Sequence, residues 1–547
     1  MNKAAEYIDR LAAVRNRYGT EYEAEKVRLI NSVNDIGVAS KKTALAYFDT
    51  LQFMTAYPDS KTVYTLVRET LQRLQSHVTS SEKVSNALFN SGVTGSYLTA
   101  AFGFVVTKWL RKTRRDDVRF GYFDADDARI QAILSVVMPK VESEIFQDAN
   151  AEWKGWLNRQ RKTNEDLLDQ LIAIFDASTI RPEVKDELWN AIGINVEIYF
   201  SDPCRLPDRL VSPFFHRALV KKVSRPENGK GKVEKVRLSA ADAERIVDCS
   251  RMVLVRHLRE MDPISFTAPE LVSYYKLARG LSIALVGATH DRRHPIDSYM
   301  SYTVFKNGLP VAYGGSWILF DSARIALNVF SSYRGGESQF IFQQVLMLHQ
   351  AIYNLKRFSV DPYQIGKDNS DGIKSGAFWV YYKAGFRPIM KAQRELAEAE
   401  AIKLKTTPAY RTPVAALKKL SESRMELAMN NDAVRFDATD LSIAWAKLVS
   451  EKFNNNRRLV SVDGVQKLAS ILNIKDYREP RMNFILENWC GLLLLDEKAL
   501  RANTSLRKEL KELFELKAFG GEEDYIKAMQ RANELRGFLE RVTADLK

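Results

Sequence analysis

The chain has 547 residues, of which 46% are hydrophobic, 10% aromatic and 27% charged. This composition excludes a disordered protein, and the length exceeds one ordinary core, so we expect about three or four domains. Lysine and arginine number 81 against 68 acidic residues, a formal net charge of +13. This balance predicts either a modestly basic soluble surface or attraction to polyanions, namely nucleic acid, an anionic membrane surface or a polyphosphate-bearing cofactor.

The cysteines Cys204, Cys249 and Cys490 are far apart and form no CxxC motif. Their spacing argues against a disulfide scaffold or a zinc ribbon and is typical of a reducing cytoplasm. The N-terminus opens with a charged amphipathic pattern and lacks the apolar core of a signal peptide, so we expect a cytoplasmic protein. The most apolar run, residues 97–110, is short and interrupted by polar residues, and it predicts a buried helix and no membrane span.

Residues 1–200 are expected to be almost wholly helical. Leu11, Val14 and Tyr18 follow one another at helical spacing, and similar spacing recurs along the region. A short extended patch at residues 118–123 interrupts the predicted helices. The region has no repeat of fixed period and no cluster of His, Cys and carboxylates suited to a metal. We therefore assign residues 1–200 to a helical scaffold or partner-binding domain.

Residues 201–240 are expected to form an irregular basic connection. The stretch 220–235 combines Gly and Pro with many lysines, which is typical of an exposed loop or a hairpin tip. Such a stretch either contacts phosphates or is simply solvated. We favour the solvated alternative because no aromatic residues are interleaved with the lysines to stack on bases.

A domain of mixed helices and strands is predicted for residues 241–390. Its first helix is capped by Ser239 and continues to Leu258, and a second helix is predicted at residues 268–279. The apolar run Gly280–Gly287 then has the length of a buried strand. These elements would precede the hairpin described below.

His290 and His294 follow that predicted strand. On a helix the two imidazoles would share one face and could bind a metal, but Pro295 disfavours helical geometry at His294. We therefore expect an exposed polar loop and no metal. The functional alternative for this loop is recognition of a substrate beside the sheet.

Two β-rich runs flank Asn307–Gly308, a dipeptide that tolerates the positive φ angles of a tight hairpin turn. A third apolar run, residues 324–330, leads into the loop Ser331–Ser338, and residues 339–356 have helical spacing. A loop of small residues entering a helix presents unpaired N–H groups at the positive end of the helix dipole. Together with the fixed cation of Arg334, this predicts a phosphate-binding loop.

After this helix, predicted strands and helices continue to alternate along the chain. Residues 357–364 predict another strand, Ser375–Ala384 predict a helix that Gly385 ends, and Phe386–Pro388 would return the chain to the sheet.

This order resembles the GNAT superfamily of N-acyltransferases, which use acyl-coenzyme A. The resemblance covers roughly residues 265–390 and includes Tyr333–Gly336, which opens a helix, and Ala377–Phe386, which is similar to the family signature Ala-x-x-(apolar)-Tyr-x-x-x-Gly-Phe. It implies an α+β fold with a GNAT-like mixed β-sheet core of at least five strands. Large all-α N-terminal and C-terminal regions would flank this core.

The chain departs from the family pattern at two places. The family's pyrophosphate loop runs Arg/Gln-x-x-Gly-x-Gly/Ala, and aligning its first position with Arg334 puts Glu337 and Gln339 where small residues are expected. Lys374 replaces a common Asn of the second signature, and Asn369 lies further upstream. These departures leave three alternatives: acyl-coenzyme A or acetyl-coenzyme A held in a variant loop, another acyl carrier, or no donor at all.

The resemblance implies which residues hold the donor. In the family, the strand before the phosphate loop offers backbone N–H groups to the thioester, and here that strand provides Asn328, Val329 and Phe330. The pyrophosphate would lie on the residues at the start of the helix: Arg334, Gly335, Gly336 and Ser338.

Tyr381, four residues before Gly385, matches the family's general-acid tyrosine. The ordinary pKa of a phenol, about 10, suits protonation of a thiolate leaving group. The alternative is that Tyr381 packs in the core beside Phe378. Glu337 and His290 lie in suitable segments to be the base.

Residues 391–547 are predicted to form a helical C-terminal domain whose mixed charges favour a solvated bundle over a nucleic-acid arm. A long exposed helix is expected at residues 391–405. Further helices are predicted at residues 417–429, 440–452, 465–472, 484–495 and 522–546.

Three functions follow from the sequence. The first is N-acyl transfer from acyl-coenzyme A to an amine acceptor, which could be macromolecular. The second is a non-catalytic GNAT-like scaffold or binding protein. The third is transfer from a carrier-bound acyl or aminoacyl donor, such as an acyl-carrier protein or aminoacyl-tRNA, or transfer to a lipid acceptor. The helical flanks predict a protein partner, and the net positive charge gives weak support for nucleic acid.

Overall fold

The computed structural model describes residues 3–38, 40–148, 152–162, 166–220, 233–429 and 438–544. Most of the predicted basic stretch 220–235 lies outside these residues. The N-terminal helices pack along apolar stripes that bury Ile8, Leu29 and Leu51. Their bounds are α1 (Lys3–Val14), α2 (Thr20–Ile36), α3 (Lys41–Ala56), α4 (Lys61–Ser80) and α5 (Glu82–Ala87).

A small antiparallel sheet follows these helices, so the expected all-α N-terminal region is wrong. It consists of β1 (Tyr97–Ala101), β2 (Val118–Phe123) and β3 (Ile194–Tyr199), in the order β1-β3-β2. The extended patch predicted at residues 118–123 is confirmed as β2. The helix predicted at residues 97–110 is wrong in its first turn, because β1 pairs there with β3, almost 100 residues further along the chain.

Helices surround this small sheet and contribute to one core with it. Trp189 and Phe175 are fully buried and lie edge to face, with ring centroids 5.0 Å apart. The helix bounds are α6 (Phe104–Thr113), α7 (Asp127–Val137), α8 (Lys140–Ser143), α9 (Ile145–Asp148), α10 (Trp153–Gln160), α11 (Leu167–Ala177) and α12 (Pro182–Ile192).

A large mixed sheet forms the centre of the molecule, and the coarse prediction of an α+β fold is confirmed. In the described part of the chain it has nine strands, in the order β11-β12-β10-β9-β8-β7-β6-β5-β4. The strand bounds are β4 (Glu234–Val236), β5 (Val272–Lys276), β6 (Leu281–Gly287), β7 (Ser298–Lys306), β8 (Leu309–Leu319), β9 (Ser322–Val329), β10 (Arg357–Val360), β11 (Arg387–Pro388) and β12 (Met425–Ala428).

The hairpin predicted at Asn307–Gly308 joins β7 to β8, with φ angles of 47° and 82° at its two turn residues. Its tip is buried. The Asn307 side chain donates to the carbonyl of Ala56 at the end of α3 (2.9 Å) and accepts from the N–H of Phe214 (2.8 Å). The turn therefore also attaches the sheet to the N-terminal helices.

Two strands occupy positions predicted to be helical. Val272–Lys276, inside the helix expected at residues 268–279, pairs with β6 as β5. Met425–Ala428, inside the helix expected at residues 417–429, inserts between β10 and β11. The sheet therefore continues past residue 390, where the sequence placed the end of this domain, and the region after residue 390 is not all-α.

The helices beside the large sheet include the one that Ser239 was predicted to cap. The Ser239 hydroxyl accepts from the N–H of Asp242 (3.1 Å), which confirms the cap. The helix bounds are α13 (Ala240–Arg256), α14 (Asp262–Phe266), α15 (Ser338–Tyr353), α16 (Ser370–Ser375), α17 (Ala377–Lys383), α18 (Lys391–Thr406) and α19 (Val414–Leu420).

The C-terminal helices have a hydrophobic core of their own, which also takes in Leu319 and Phe320 at the β8–β9 turn. The single helix expected at residues 522–546 is two helices. The bounds are α20 (Ala438–Phe453), α21 (Gly464–Leu472), α22 (Pro480–Leu493), α23 (Glu497–Ala502), α24 (Thr504–Phe519), α25 (Glu522–Arg531) and α26 (Asn533–Ala544). Over the described ranges, no helix has both the length and the apolar character needed to cross a bilayer.

Candidate functional site

Strand β9 has a paired neighbour along only part of its length on one side. On that side β10 runs parallel to it, and the register pairs Arg357 with Ser322 and Ser359 with Arg324. Residues 325–329 extend past these pairs, while their other edge stays bonded to β8. The end of β9 therefore borders a gap in the sheet, where its backbone groups meet side chains and the cleft instead of a neighbouring strand.

A cleft of about 600 Å³ opens at this gap. Its walls come from the end of β9, the loop before α15, the helices α16 and α17, and the connection between α13 and α14. The lining residues include Arg259, Glu260, Tyr313, Leu327, Asn328, Val329, Arg334, Gly335, Ser338, Tyr363, Asp371 and Tyr381.

The loop before α15 presents the features of an anion site to this cleft. Gly335 has a φ of 84°, and its α-carbon faces open space with no heavy atom near the position of a Cβ. Ser338 begins α15, a 16-residue helix whose first N–H groups have no intrahelical partner. Arg334 is exposed beside them, and its Nε donates to the carbonyl of Val329 (3.4 Å).

The phenol of Tyr381 lies on the same cleft. Its hydroxyl accepts a hydrogen bond from the backbone N–H of Leu327 in β9 (3.3 Å). The ring is buried, packed edge to face on Phe342, and burial raises the pKa of Tyr381 to about 12. The hydroxyl is therefore protonated at neutral pH and lies beside the open backbone of β9.

The three candidate residues Asn328, Val329 and Phe330 lie at and just after the end of β9, and they do not share one environment. Asn328 and Val329 line the cleft and are half-buried. Phe330 is buried outside it, where its ring stacks on His257 with centroids 4.4 Å apart. Burial lowers the pKa of His257 to about 3, so this imidazole is neutral and acts as an apolar support.

Glu337 does not face the cleft. Its carboxylate is fully buried on the opposite side of the loop, where it accepts from Lys306 Nζ (2.7 Å), Arg279 Nη2 (2.5 Å) and the N–H of Val220 (3.0 Å). The loop can therefore contain a carboxylate without directing its charge at a bound anion. This position supports a structural role for Glu337 and leaves it away from the reacting groups that a base must reach.

The electrostatics around Glu337 follow from these contacts. Although burial opposes ionisation, His216 at 3.7 Å, Lys306 and Arg279 together hold the pKa of Glu337 well below its ordinary value. Burial lowers the pKa of Lys306 to about 8, with the Glu337 carboxylate acting against that change. Burial likewise lowers the pKa of His216.

Helix α3 of the N-terminal region holds the loop before α15 from behind. Asp49 accepts from the Ser332 hydroxyl (2.7 Å), and Gln52 accepts from the Tyr333 hydroxyl (3.0 Å). Gly336 packs against the buried Tyr57 ring, where an added Cβ would meet a ring carbon at 2.6 Å. Gly336 is therefore needed for packing, whereas Gly335 is the glycine that faces the cleft.

The residues that depart from the family pattern next to this loop have structural roles. Gln339 donates to the carbonyl of Val380 (3.0 Å) and so ties the start of α15 to α17. Asn369 caps α16 by accepting from the N–H of Gly372 (3.0 Å), and it also lines the cleft. Lys374 lies exposed on α16.

One wall of the cleft, formed by residues that precede the β7–β8 hairpin in the chain, was not predicted from the sequence. Arg259 donates to the Tyr313 hydroxyl (3.0 Å), and Glu260 accepts from the N–H of Gly103 (2.5 Å). Tyr313 is the register partner of Asn328, and Ser316, three residues further along β8, contacts His349 of α15, so Tyr313 lies on the face of the sheet opposite α15. No local motif marks them, because their role depends on contacts with β1–α6 and β8.

The two histidines considered as a metal site or substrate loop lie away from the cleft. His290 Nε2 is 3.1 Å from the carbonyl of Gly520, and His294 Nδ1 is 2.9 Å from Asp297. Throughout the described ranges, no three His, Cys, Asp or Glu side chains are grouped closely enough to hold a metal ion.

Comparison of the chain with protein-family models, with curated proteins and with solved structures found no match.

Proposed function

We propose that this protein is an acyltransferase of the GNAT type that moves an acyl group from an acyl-coenzyme A to an amine. The observation that carries the proposal is the meeting, in one cleft, of the open end of β9, the Gly335 loop at the start of α15 and the Tyr381 hydroxyl. The strand order also supports the proposal. Strands β6–β9 are antiparallel, β10 is parallel to β9, and β10 pairs with only the first part of β9. In the family that this region resembles, the strand before the phosphate loop diverges from its neighbour in the same way.

The cleft residues fit an acyl-coenzyme A. Open space at Gly335, the N–H groups of α15 and the Arg334 guanidinium form a cradle for a pyrophosphate. The backbone of β9 near Asn328 and Val329 can hydrogen-bond an acyl carbonyl and the oxyanion that forms on attack. A thioester held between the Gly335 cradle and the backbone of β9 is oriented for attack by an amine from the face of the sheet opposite α15.

The reaction also requires that a proton reach the departing thiolate. Tyr381 is buried beside β9, and a pKa raised to about 12 keeps its hydroxyl protonated at neutral pH. As the amine nitrogen bonds to the acyl carbon and the carbon–sulfur bond breaks, Tyr381 donates its proton to sulfur. It recovers a proton from the attacking nitrogen through solvent, so a neutral amine and the thioester become an amide and a thiol with no net release of protons.

The first test is a thermal-shift titration of the full chain with coenzyme A, acetyl-coenzyme A and a long-chain acyl-coenzyme A. A ligand at 100 times its Kd stabilises the folded state by about 2.7 kcal/mol, which such an assay detects. We expect a shift that Arg334→Ala abolishes and that Arg129→Ala preserves, since Arg129 is an exposed arginine on α7 outside the cleft.

The other functions predict different results in the same titration. No shift with any of the three thioester or thiol ligands would overturn the acyl-coenzyme A proposal and favour a non-catalytic binding role. Strongly salt-dependent binding to an aminoacyl-tRNA or an acyl-carrier protein, in place of coenzyme A, would favour the carrier-bound donor.

A further inference from the structure

The acceptor side of the cleft contains a carboxylate that none of the sequence motifs include. Glu260 lies in the short connection between α13 and α14 and lines the cleft. Its neighbour Arg259 is fixed on the Tyr313 hydroxyl (3.0 Å), and Tyr313 is paired in register with Asn328. This chain of contacts holds the connection over the face of β9 opposite α15, where an acceptor must approach the acyl carbon.

The Glu260 carboxylate is hydrogen-bonded to the N-terminal region. Its Oε1 accepts from the backbone N–H of Gly103, between β1 and α6, at 2.5 Å. A side chain at residue 103 would crowd the same carboxylate, because a Cβ there would lie 3.1 Å from Oε2. The N-terminal region thus anchors an exposed carboxylate at the border of the cleft.

The charges around Glu260 favour a positively charged ligand. Partial burial raises the pKa of Glu260, Asp262 at the start of α14 and Asp186 on α12 raise it further, and the Gly103 hydrogen bond acts against them. The arginines nearby are engaged elsewhere, since Arg292 pairs with Asp186 and Arg259 is on Tyr313. An ammonium group placed here would relieve the repulsion among the carboxylates.

The other base candidates lack this geometry. Glu337 is buried behind the loop with Lys306, and His290 contacts the C-terminal helices through Gly520. Asp371 lines the cleft too, but its carboxylate lies 3.8 Å from the Arg259 guanidinium, a cation that would compete with an ammonium ion. Among these candidates, Glu260 is the one that is both hydrogen-bonded in place and open to the cleft.

We infer that Glu260 is the general base of the proposed transferase and that the acceptor is an aliphatic primary ammonium ion entering from the α13–α14 side. This inference rests on the proposed function. The ammonium group docks on the Glu260 carboxylate and gives it one proton, and the free amine then attacks the acyl carbon. A second proton leaves nitrogen through solvent as the amide forms and reprotonates Tyr381, whose own proton goes to the departing thiolate. Glu260 then returns its proton to solvent, so an ammonium ion and a thioester give an amide, a thiol and one proton.

The test is the rate of thiol release from acetyl-coenzyme A with n-butylamine as probe acceptor, between about pH 5 and pH 9. General-base catalysis contributes about 10²–10⁴-fold, so we expect Glu260→Gln to lower kcat at least about 10²-fold. We also expect it to remove the fall in kcat below the raised Glu260 pKa and to leave the Kd of acetyl-coenzyme A unchanged. The amide oxygen of glutamine can still accept from Gly103, so the variant should fold.

Two further variants make the result specific. Glu260→Asp should restore part of the lost rate and its pH dependence, and Glu270→Gln, a change at an exposed residue outside the cleft, should behave as the wild type. A Glu260→Gln variant that keeps the wild-type rate or its acidic limb would overturn the inference, as would wild-type protein that binds acetyl-coenzyme A but releases no thiol with n-butylamine. Absence of acetyl-coenzyme A binding would instead contradict the proposed function itself.

Discussion

Glu337 is placed where a carboxylate would repel a bound phosphate, yet its charge is compensated within the protein. The side chain turns away from the cleft and lies, fully buried, against Lys306 and Arg279. An ion pair of this kind contributes little compared with a well-packed apolar cluster, but removing one member leaves a buried charge without its partner. At the scale of single residues, Glu337 therefore acts as a structural anchor for the loop.

We predict that Glu337→Gln destabilises the fold by about 3–5 kcal/mol at pH 7, because Lys306 loses the carboxylate it is buried against. The effect should depend on pH. Since the folded-state pKa of Glu337 lies below its unfolded value, its stabilisation is present above about pH 4.3 and is lost as pH falls toward the folded pKa. Urea denaturation at pH 7 and near pH 3 measures both values, and the difference between variant and wild type should shrink at the lower pH.

An exposed ion pair provides the control for this prediction. Glu395 lies 3.9 Å from Lys391 on α18, and both side chains are mostly exposed. Glu395→Gln should change the free energy of unfolding by less than about 1 kcal/mol at either pH. A similarly small effect for Glu337→Gln would contradict the anchoring role.

Among the elements, helix α3 and the loop before α15 form one unit. The loop is bonded to Asp49 and Gln52, and its second glycine lies on the Tyr57 ring at the end of α3. The same end of α3 receives the β7–β8 turn through Asn307. The N-terminal helices therefore set the position of the loop, and the core that resembles a transferase depends on a region outside the resemblance.

We predict that Gly336→Ala displaces the loop and lowers the affinity for acetyl-coenzyme A at least about tenfold, because the new methyl group would overlap the buried Tyr57 ring. The matched variant is Gly335→Ala, whose methyl group meets no protein atom and lowers affinity only through the strain of a positive φ, about 1–2 kcal/mol, and through contact with the ligand itself. Calorimetric titration gives both affinities. Adding Tyr57→Leu should restore part of the affinity of the Gly336→Ala variant but none for Gly335→Ala; a Tyr57→Leu change that restores neither would refute the packing argument.

At the scale of the whole molecule, the hydrophobic interior has two large parts. One continuous core joins the N-terminal region to the large sheet and includes Phe53, Trp189 and Leu346. A second core lies among α20–α26 and meets the sheet at Phe320. The first 200 residues are therefore bound to the site by shared core packing, whereas the C-terminal helices are largely self-contained.

We predict two unfolding transitions in differential scanning calorimetry of the full chain. Acetyl-coenzyme A should raise the midpoint temperature of only the transition that includes the large sheet. Leu346→Ala on α15 and Leu535→Ala on α26 are matched truncations of buried leucines, each costing about 2–5 kcal/mol. Leu346→Ala should lower the midpoint temperature of the transition that includes the sheet, and Leu535→Ala should lower that of the C-terminal helices. A single transition lowered by both variants would show that the two cores unfold as one unit.

Much of the local structure could be predicted from the sequence. The Asn307–Gly308 turn, the Ser239 cap and the buried strand β6 all follow from residues within a few positions of one another. Gly335, Arg334 and Tyr381 line one cleft, and their role in holding a donor stays a prediction of the resemblance. The strands β5 and β12 could not be predicted, because their helical or strand conformation depends on which neighbours they pair with in the sheet.

Elements with local signals, namely turns that need a positive φ, capped helix starts and apolar periodicity, follow from the amino-acid sequence. Contacts between distant segments decide that Glu337 turns toward Lys306, that Tyr57 packs on Gly336, and that Glu260 lines the cleft. These partners come from segments far apart in the chain, and backbone pairing and core packing bring them together. The physical reason is that a side chain's charge state and direction depend on its neighbours in space, which no short stretch of sequence contains.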